Sequence, residues 1–189
     1  MNPSQVPFAR VCIQSADFDL SAEISALRAR DARVGAVCSF VGTVRDRNSM
    51  APTLVTACTA LPPEGILSPS GGPSATAPVL SMELEHYPGM TERAIEAMID
   101  EAHRRFDIFG VRVIHRVGVL APLDQIVLVA VTSAHRGESF QACEFLMDYL
   151  KTQAPFWKKE QTPEGARWVD ARVSDDAALA RWGIAGSNR

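Results

Sequence analysis

The chain has 189 residues, 47% of them hydrophobic, and a net charge of -3. That length suits one domain with a proper core, and the acidic balance gives no global attraction to nucleic acid or an anionic membrane, so any anion site is local. No run of about 18 apolar residues is present, which excludes a helical membrane span, and the opening MNPSQVPFAR has no apolar targeting region. Cys12, Cys38, Cys58 and Cys143 are widely spaced without a CxxC pair. They read as reduced thiols of a cytoplasmic protein.

The first element is a short strand over 10–14, followed by a helix with Ser21 as N-cap and Ile24 and Leu27 on its apolar stripe. VGAVCSFVGTV, 34–44, is apolar almost throughout and predicts a strand buried on both faces. The stretch after it holds six of the twelve prolines and one charged residue, Glu64. So many missing backbone donors rule out a helix or a central strand and predict a long unstructured insertion at about 48–79. From Leu80 to His86, apolar positions alternate with Ser81, Glu83 and Glu85, predicting a half-buried strand with two wet carboxylates. After the Pro88-Gly89 turn comes a helix that opens near Thr91 and carries Ile95, Met98, Ile99, Ala102 and Phe106 on one face. The β-branched runs 111–120 and 125–134 predict neighbouring antiparallel strands. The next helix, 139–152, has Phe140, Cys143, Met147 and Leu150 as its apolar face and ends before Ala154-Pro155. TPEG, 162–165, predicts a tight turn into a last strand at 166–172. A short helix opened by Ser174 follows over 174–182, then a flexible tail at about 183–189. The sum is an α+β fold in a single domain, 1–189, with no strict βαβ repeat.

LKTQAPFWKKE, 150–160, contains all three lysines of the chain, against 16 arginines elsewhere. Lys151 falls in the last turn of its helix, where any cation offsets the dipole. That accounts for a charge but not for the choice of lysine, whose amine is titratable. Lys158 and Lys159 follow Pro155 beside Phe156 and Trp157. They read either as solvated loop lysines or as amines shielded by the rings. TSAHRGES places Ser133, His135 and Arg136 where a buried strand meets a helix N-terminus. This suits an anion site as well as a plain cap beside a surface His-Arg pair. Arg45 and Arg47 emerge at the end of the 34–44 strand, and Arg167 and Arg172 lie on the late one. His86, His103, His115 and His135 lack metal-ligand spacing, and no phosphate-binding glycine loop or nucleophile elbow is present. His115, in an apolar strand, reads as a structural histidine, and Cys143 as core.

LEHYPGMTERAI, VTSAHRGESFQACEFLMDYLKTQAPFWKKE and TPEGARWVDAR closely resemble the large, catalytic subunit family of molybdopterin synthase. GAVCSFVGTVRDRN is similar to that family's N-terminal strand motif, although Thr43 stands where the family often has Lys. The resemblance runs from about 34 to 182, and the proline-rich insertion interrupts it. It implies an α/β-hammerhead-like mixed sheet with flanking helices, and a homodimer whose two copies complete each site. It also implies a small ubiquitin-like sulfur-carrier subunit, ending in a Gly-Gly thiocarboxylate, docked at each end to give a heterotetramer. The implied reaction is sulfur transfer from that thiocarboxylate to cyclic pyranopterin monophosphate, with no cofactor and no metal. By position, Lys151 and Lys158 match the family's catalytic lysines. Phe40, Arg45, His135, Arg136, Met147 and Arg172 match its substrate pocket. Two readings of another class stay open: a phosphate-ligand binding module that needs the arginines but not Lys151, and a scaffold that docks a ubiquitin-like tail without chemistry.

Overall fold

Eight strands and three helices occupy residues 9–46, 78–169 and 181–183, which the computed structural model describes. In chain order they are β1 (Val11–Gln14), α1 (Leu20–Arg28), β2 (Ala36–Thr43), β3 (Ser81–His86), α2 (Met90–Arg105), β4 (Ile108–Arg116), β5 (Gly118–Leu120), β6 (Gln125–Ser133), α3 (Arg136–Gln153), β7 (Phe156–Thr162) and β8 (Gly165–Val169). The α+β class is as expected, with the strands divided between two four-stranded sheets, β1-β4-β6-β2 and β5-β3-β7-β8. Only the β1–β4 pair is parallel.

The apolar runs of β4 and β6 fill the middle of the first sheet because helices cover it on both sides. On one face, Ile95, Met98 and Ile99 of α2 and Phe145 and Leu146 of α3 pack on Val111, Val113, Val129 and Val131. On the other, Phe18 and Leu27 pack on Ile114, Leu128 and Ala130. The run 34–44 does not become a strand buried on both faces. β2 is shorter, lies at the sheet edge and leaves Ser39 exposed and Phe40 41% exposed. A strand flanked on one side only is covered less than its composition leads one to expect.

Other expectations shift for local reasons. The α1 cap is Asp19, not Ser21: its carboxylate accepts from the Ser21 and Ala22 N–H groups at 2.8 and 3.0 Å. α2 opens at Met90 behind Gly89, whose N–H donates to the Glu92 carboxylate at 2.6 Å. Thr91 is buried, accepting from the Tyr87 N–H and donating to the Pro155 carbonyl. It therefore ties the start of α2 to the link between α3 and β7. The strand expected over 111–120 breaks at Gly118, which adopts φ +87° and carries β5 into the second sheet. α3 begins three residues early. Its buried face runs through Ser139, Ala142, Cys143, Leu146 and Leu150, leaving Phe140 59% exposed.

β7 is a strand where the sequence reading placed only a segment after Pro155. It sits between β3 and β8, with Lys158 opposite Leu84 and Val169. Leu80 is exposed although alternation assigned it inward. Most of the insertion expected at about 48–79, residues 170–172 of the last strand, and the helix and tail beyond them, except 181–183, lie outside the described residues. The insertion's two ends meet: the Val79 N–H donates to the Asp46 carbonyl at 2.7 Å. A long sequence inserted between adjacent points leaves the flanking strands undisturbed, since closing a loop costs little more as it lengthens. Among the described residues no helix is long and apolar enough to cross a membrane.

Candidate active site

α3 fixes the geometry of the basic groups. Cys143, near its middle, lies above the middle of β6, with its sulfur 3.9 Å from the Val129 carbonyl oxygen. Eight residues on, about 12 Å along the helix, comes Lys151. Four residues back, about 13 Å along β6, comes Gln125. Gln125 pairs with Thr43, two residues before Arg45. Helix and strand run in opposite senses, so Lys151 and Arg45 come to the same end of the first sheet. Both are exposed there.

Met147 precedes Lys151 by one turn on the same helical face and is half-buried against the core. The Phe40 ring leans over Gly42: a Cβ added at Gly42 would stand 3.4 Å from the ring and 2.8 Å from Val127. Glycine thus makes room for an aromatic wall directed toward the Lys151 end.

Lys158 reaches this region from the second sheet. It alternates with Lys159 along β7, so the two amines leave on opposite faces. The Lys159 amine lies on the outer face, 3.9 Å from Glu83 and 5.5 Å from the Trp168 ring centroid. Lys158 shares the inner face with Leu84 and Met82, which pack with Val44, the residue before Arg45. Its amine is 3.2 Å from the Glu160 carboxylate, and the Glu160 side chain is fully buried while that of Lys158 is 30% exposed. Sequence reading gave Glu160 no role. Its signal was the spacing: in a strand, positions 158 and 160 share a face.

His135 and Arg136 are elsewhere. His135 is the N-cap of α3 and Arg136 its first residue, both exposed. The Ser133 hydroxyl donates to the His135 carbonyl at 2.7 Å and shapes that corner. Fifteen residues of helix separate Arg136 from Lys151, about 22 Å along the axis. Within one chain the structure therefore gathers Phe40, Arg45, Met147, Lys151 and Lys158 near one end, and holds His135 and Arg136 at the other. Arg172 lies outside the described residues.

A family model described as MoaE protein matches residues 72–153. A molybdopterin synthase catalytic subunit of Ralstonia nicotianae is 58% identical over 176 residues, 93% of this chain and 85% of the relative. The chain belongs to the molybdopterin synthase catalytic subunit family. It is an enzyme subunit of molybdenum cofactor biosynthesis. Among solved structures, the MoaE protein of Burkholderia ambifaria matches with a TM-score of 0.70 and 52% identity, covering 94% of this chain and 99% of that one. A protein–protein complex of subunits 1 and 2 of the molybdopterin-converting factor from Helicobacter pylori shares the fold, with a TM-score of 0.62 at 16% identity, covering 87% and 92%.

In this synthase subunit the link from α3 to β7 is braced from behind. The His115 ring stacks on Phe156 at 3.7 Å, and its Nδ1 lies 2.8 Å from the Arg116 carbonyl. Burial, opposed by the Arg116 carbonyl and aided by the neighbouring His86, lowers its pKa from the ordinary 6.5 to about 4. The imidazole is neutral in the fold and takes up a proton more readily when unfolded. Its contribution to stability is complete above about pH 6.5 and is lost as pH falls toward 4, up to about 3 kcal/mol. His115→Gln is expected to flatten the fall in melting temperature between pH 7 and pH 4.5. Parallel curves for the two proteins would remove His115 as its source. Among the described residues no group of three or more His, Cys, Asp or Glu side chains is arranged to hold a metal ion.

Proposed function

We propose that this catalytic subunit moves sulfur from the C-terminal thiocarboxylate of a small ubiquitin-like carrier to cyclic pyranopterin monophosphate, in two additions that build the dithiolene of molybdopterin. The observation that carries the reading is the convergence of Lys151, Lys158 and Arg45 at one end of the molecule, from α3, β7 and the segment just after β2. Both reactants are anions, and such a cluster attracts them in a protein whose net charge is -3. Lys151 holds the incoming thiocarboxylate by a charge-assisted hydrogen bond. Lys158, steadied by Glu160, exchanges the proton as sulfur adds and the cyclic phosphate opens. Arg45 takes the phosphate, and Phe40 and Met147 form the apolar wall against the pterin.

His135 and Arg136 belong to this proposal only through a second copy of the chain. A separation of about 22 Å exceeds the length of a pterin monophosphate, so the helix start that completes a site comes from a partner copy. A two-fold homodimer brings the same two ends together twice. Arg172 is assigned to the phosphate by its position in the family motif. The Helicobacter pylori neighbour is a complex of two converting-factor subunits, and we carry a second-subunit partner over to this chain, with the carrier's tail threaded to Lys151.

Incubating the full chain with a thiocarboxylated carrier and the cyclic pterin tests the reading. Formation of the dithiolene product is expected. Pterin binding without product would favour a ligand-binding module, and carrier binding alone would favour a scaffold.

A further inference from the structure

α3 carries one stripe that the fold of a single chain leaves bare. Arg136, Phe140, Met147 and Lys151 recur at intervals of four, seven and four residues, so they share a face. Phe140 is 59% exposed, and Met147 is only half-buried. Phe145 meets Phe106 at the end of α2, with ring centroids 5.7 Å apart, and lies about 140° further round the helix. The stripe therefore looks away from α2, over β2 and past the edge of the sheet. Phe40, itself partly exposed, is on that side of β2, because Cys38, two residues earlier, packs in the core under α3. A lone exposed ring is ordinary, but here two rings and a methionine lie between two cations.

β2 offers the means to cover them. It ends its sheet, and among the described residues no strand pairs with its outer edge. Its sequence, AVCSFVGT, has neither a charge nor a proline, the devices that keep such edges from pairing. Its middle, Ser39–Phe40, is level with Ala130 and Val129 of β6, and Cys143 of α3 lies against the Val129 carbonyl. Cys143 is also the midpoint of the stripe from Arg136 to Lys151. A two-fold axis through the middle of β2 thus reverses strand and helix about one level.

We propose that two copies of this chain pair antiparallel through β2, and that Phe140 of one copy closes the apolar wall of the other copy's site. Paired strands lie about 4.8 Å apart. α3 packs on β2 and β6 together, so the two α3 axes fall two strand spacings apart, about 10 Å, the distance at which helices pack. In that antiparallel pair, Arg136 of one copy comes beside Lys151 of the other, and Phe140 beside Met147. Phe140 then adds a second ring to the wall that Phe40 and Met147 give the pterin. The role of Phe140 rests on the sulfur-transfer reading, whereas the pairing through β2 does not.

The experiment measures turnover against cyclic pterin concentration, with a thiocarboxylated carrier and full chains. Phe140→Ala is expected to stay dimeric in sedimentation and to raise KM for the pterin about tenfold with kcat nearly unchanged, the scale of losing one ring stacked on a heterocycle. Phe140→Leu keeps an apolar contact between the helices and is expected to raise KM less. Phe140→Ala is then refolded with an equal amount of Lys151→Ala. In mixed dimers one site takes its lysine from the first copy and its ring from the second. A component with wild-type KM and about a quarter of wild-type kcat is expected. If only the raised KM is seen, Phe140 serves its own chain and the arrangement is wrong. Wild-type KM in Phe140→Ala, or dissociation of both variants to monomers, would remove the ring from the pterin. Each of these results leaves the sulfur-transfer reading standing, whereas wild-type protein that forms no dithiolene would overturn both.

Discussion

Lys151→Ala is expected to lower dithiolene formation by about 10²–10⁴-fold, the range for losing a group that acts on the reacting atoms. The fold is expected to survive. Lys151 is exposed in the last turn of α3, so truncation costs only its dipole interaction, about 0.3–1 kcal/mol. Turnover and urea unfolding, measured together, separate the two effects. Lys151→Arg sharpens the result, since it keeps the charge, the helix-end position and the dipole interaction and loses only the compact amine. We expect the arginine variant to stay near the alanine level. Activity close to wild type in Lys151→Arg would mean that charge suffices at this position.

Glu160→Gln is expected to lower turnover by about 10–100-fold, the scale set by misplacing a reacting group by roughly an ångström. The substitution keeps the side-chain volume and removes the charge that faces the Lys158 amine at 3.2 Å. Breaking a wholly buried ion pair costs about 3–5 kcal/mol. Here the loss is smaller, because Lys158 is 30% exposed and its ammonium can regain water. Carrier binding is expected to remain, since Glu160 is fully buried and presents no surface to a partner. If melting temperature and turnover fall in proportion, and Glu160→Asp does not restore turnover, the carboxylate supports only the fold.

Much of this arrangement was legible in the residues. The β-branched runs 111–120 and 125–134 mark neighbouring antiparallel strands, as β4 and β6 are, and the restriction of lysine to 150–160 points to the end of the first sheet where Lys151 and Arg45 lie. β7 was hidden for a physical reason. Three residues of FWKKEQT are charged, and the inward face contains a Lys and a Glu that pair with each other, so no apolar alternation marks the strand. The split of 111–120 depended on one glycine at positive φ, which reads equally well as a weak point within a continuous strand.

The α3 face was misjudged at Phe140 because a large apolar residue at helical spacing was given more weight than the small Ser139 and Ala142 that meet the sheet. An exposed Phe on a helix is ordinary, whereas small residues mark close approach. The separation of Arg136 from Lys151 was available from the chain positions alone once both were placed on one helix. The proposed explanation, a site completed by a second copy, comes from the family resemblance, because a shared site leaves no mark in the spacing of a single chain.

The proposed shared site is directly open to measurement. Lys151→Ala and Arg136→Ala proteins, each expected to be nearly inactive alone, are unfolded together, refolded as a mixture and assayed with carrier and pterin. If each site takes its lysines from one copy and its His135–Arg136 corner from the other, half the dimers are mixed and one of their two sites is intact, restoring about a quarter of wild-type activity. A mixture no more active than its two components would place both groups in a site within one chain, or leave Arg136 outside the site altogether.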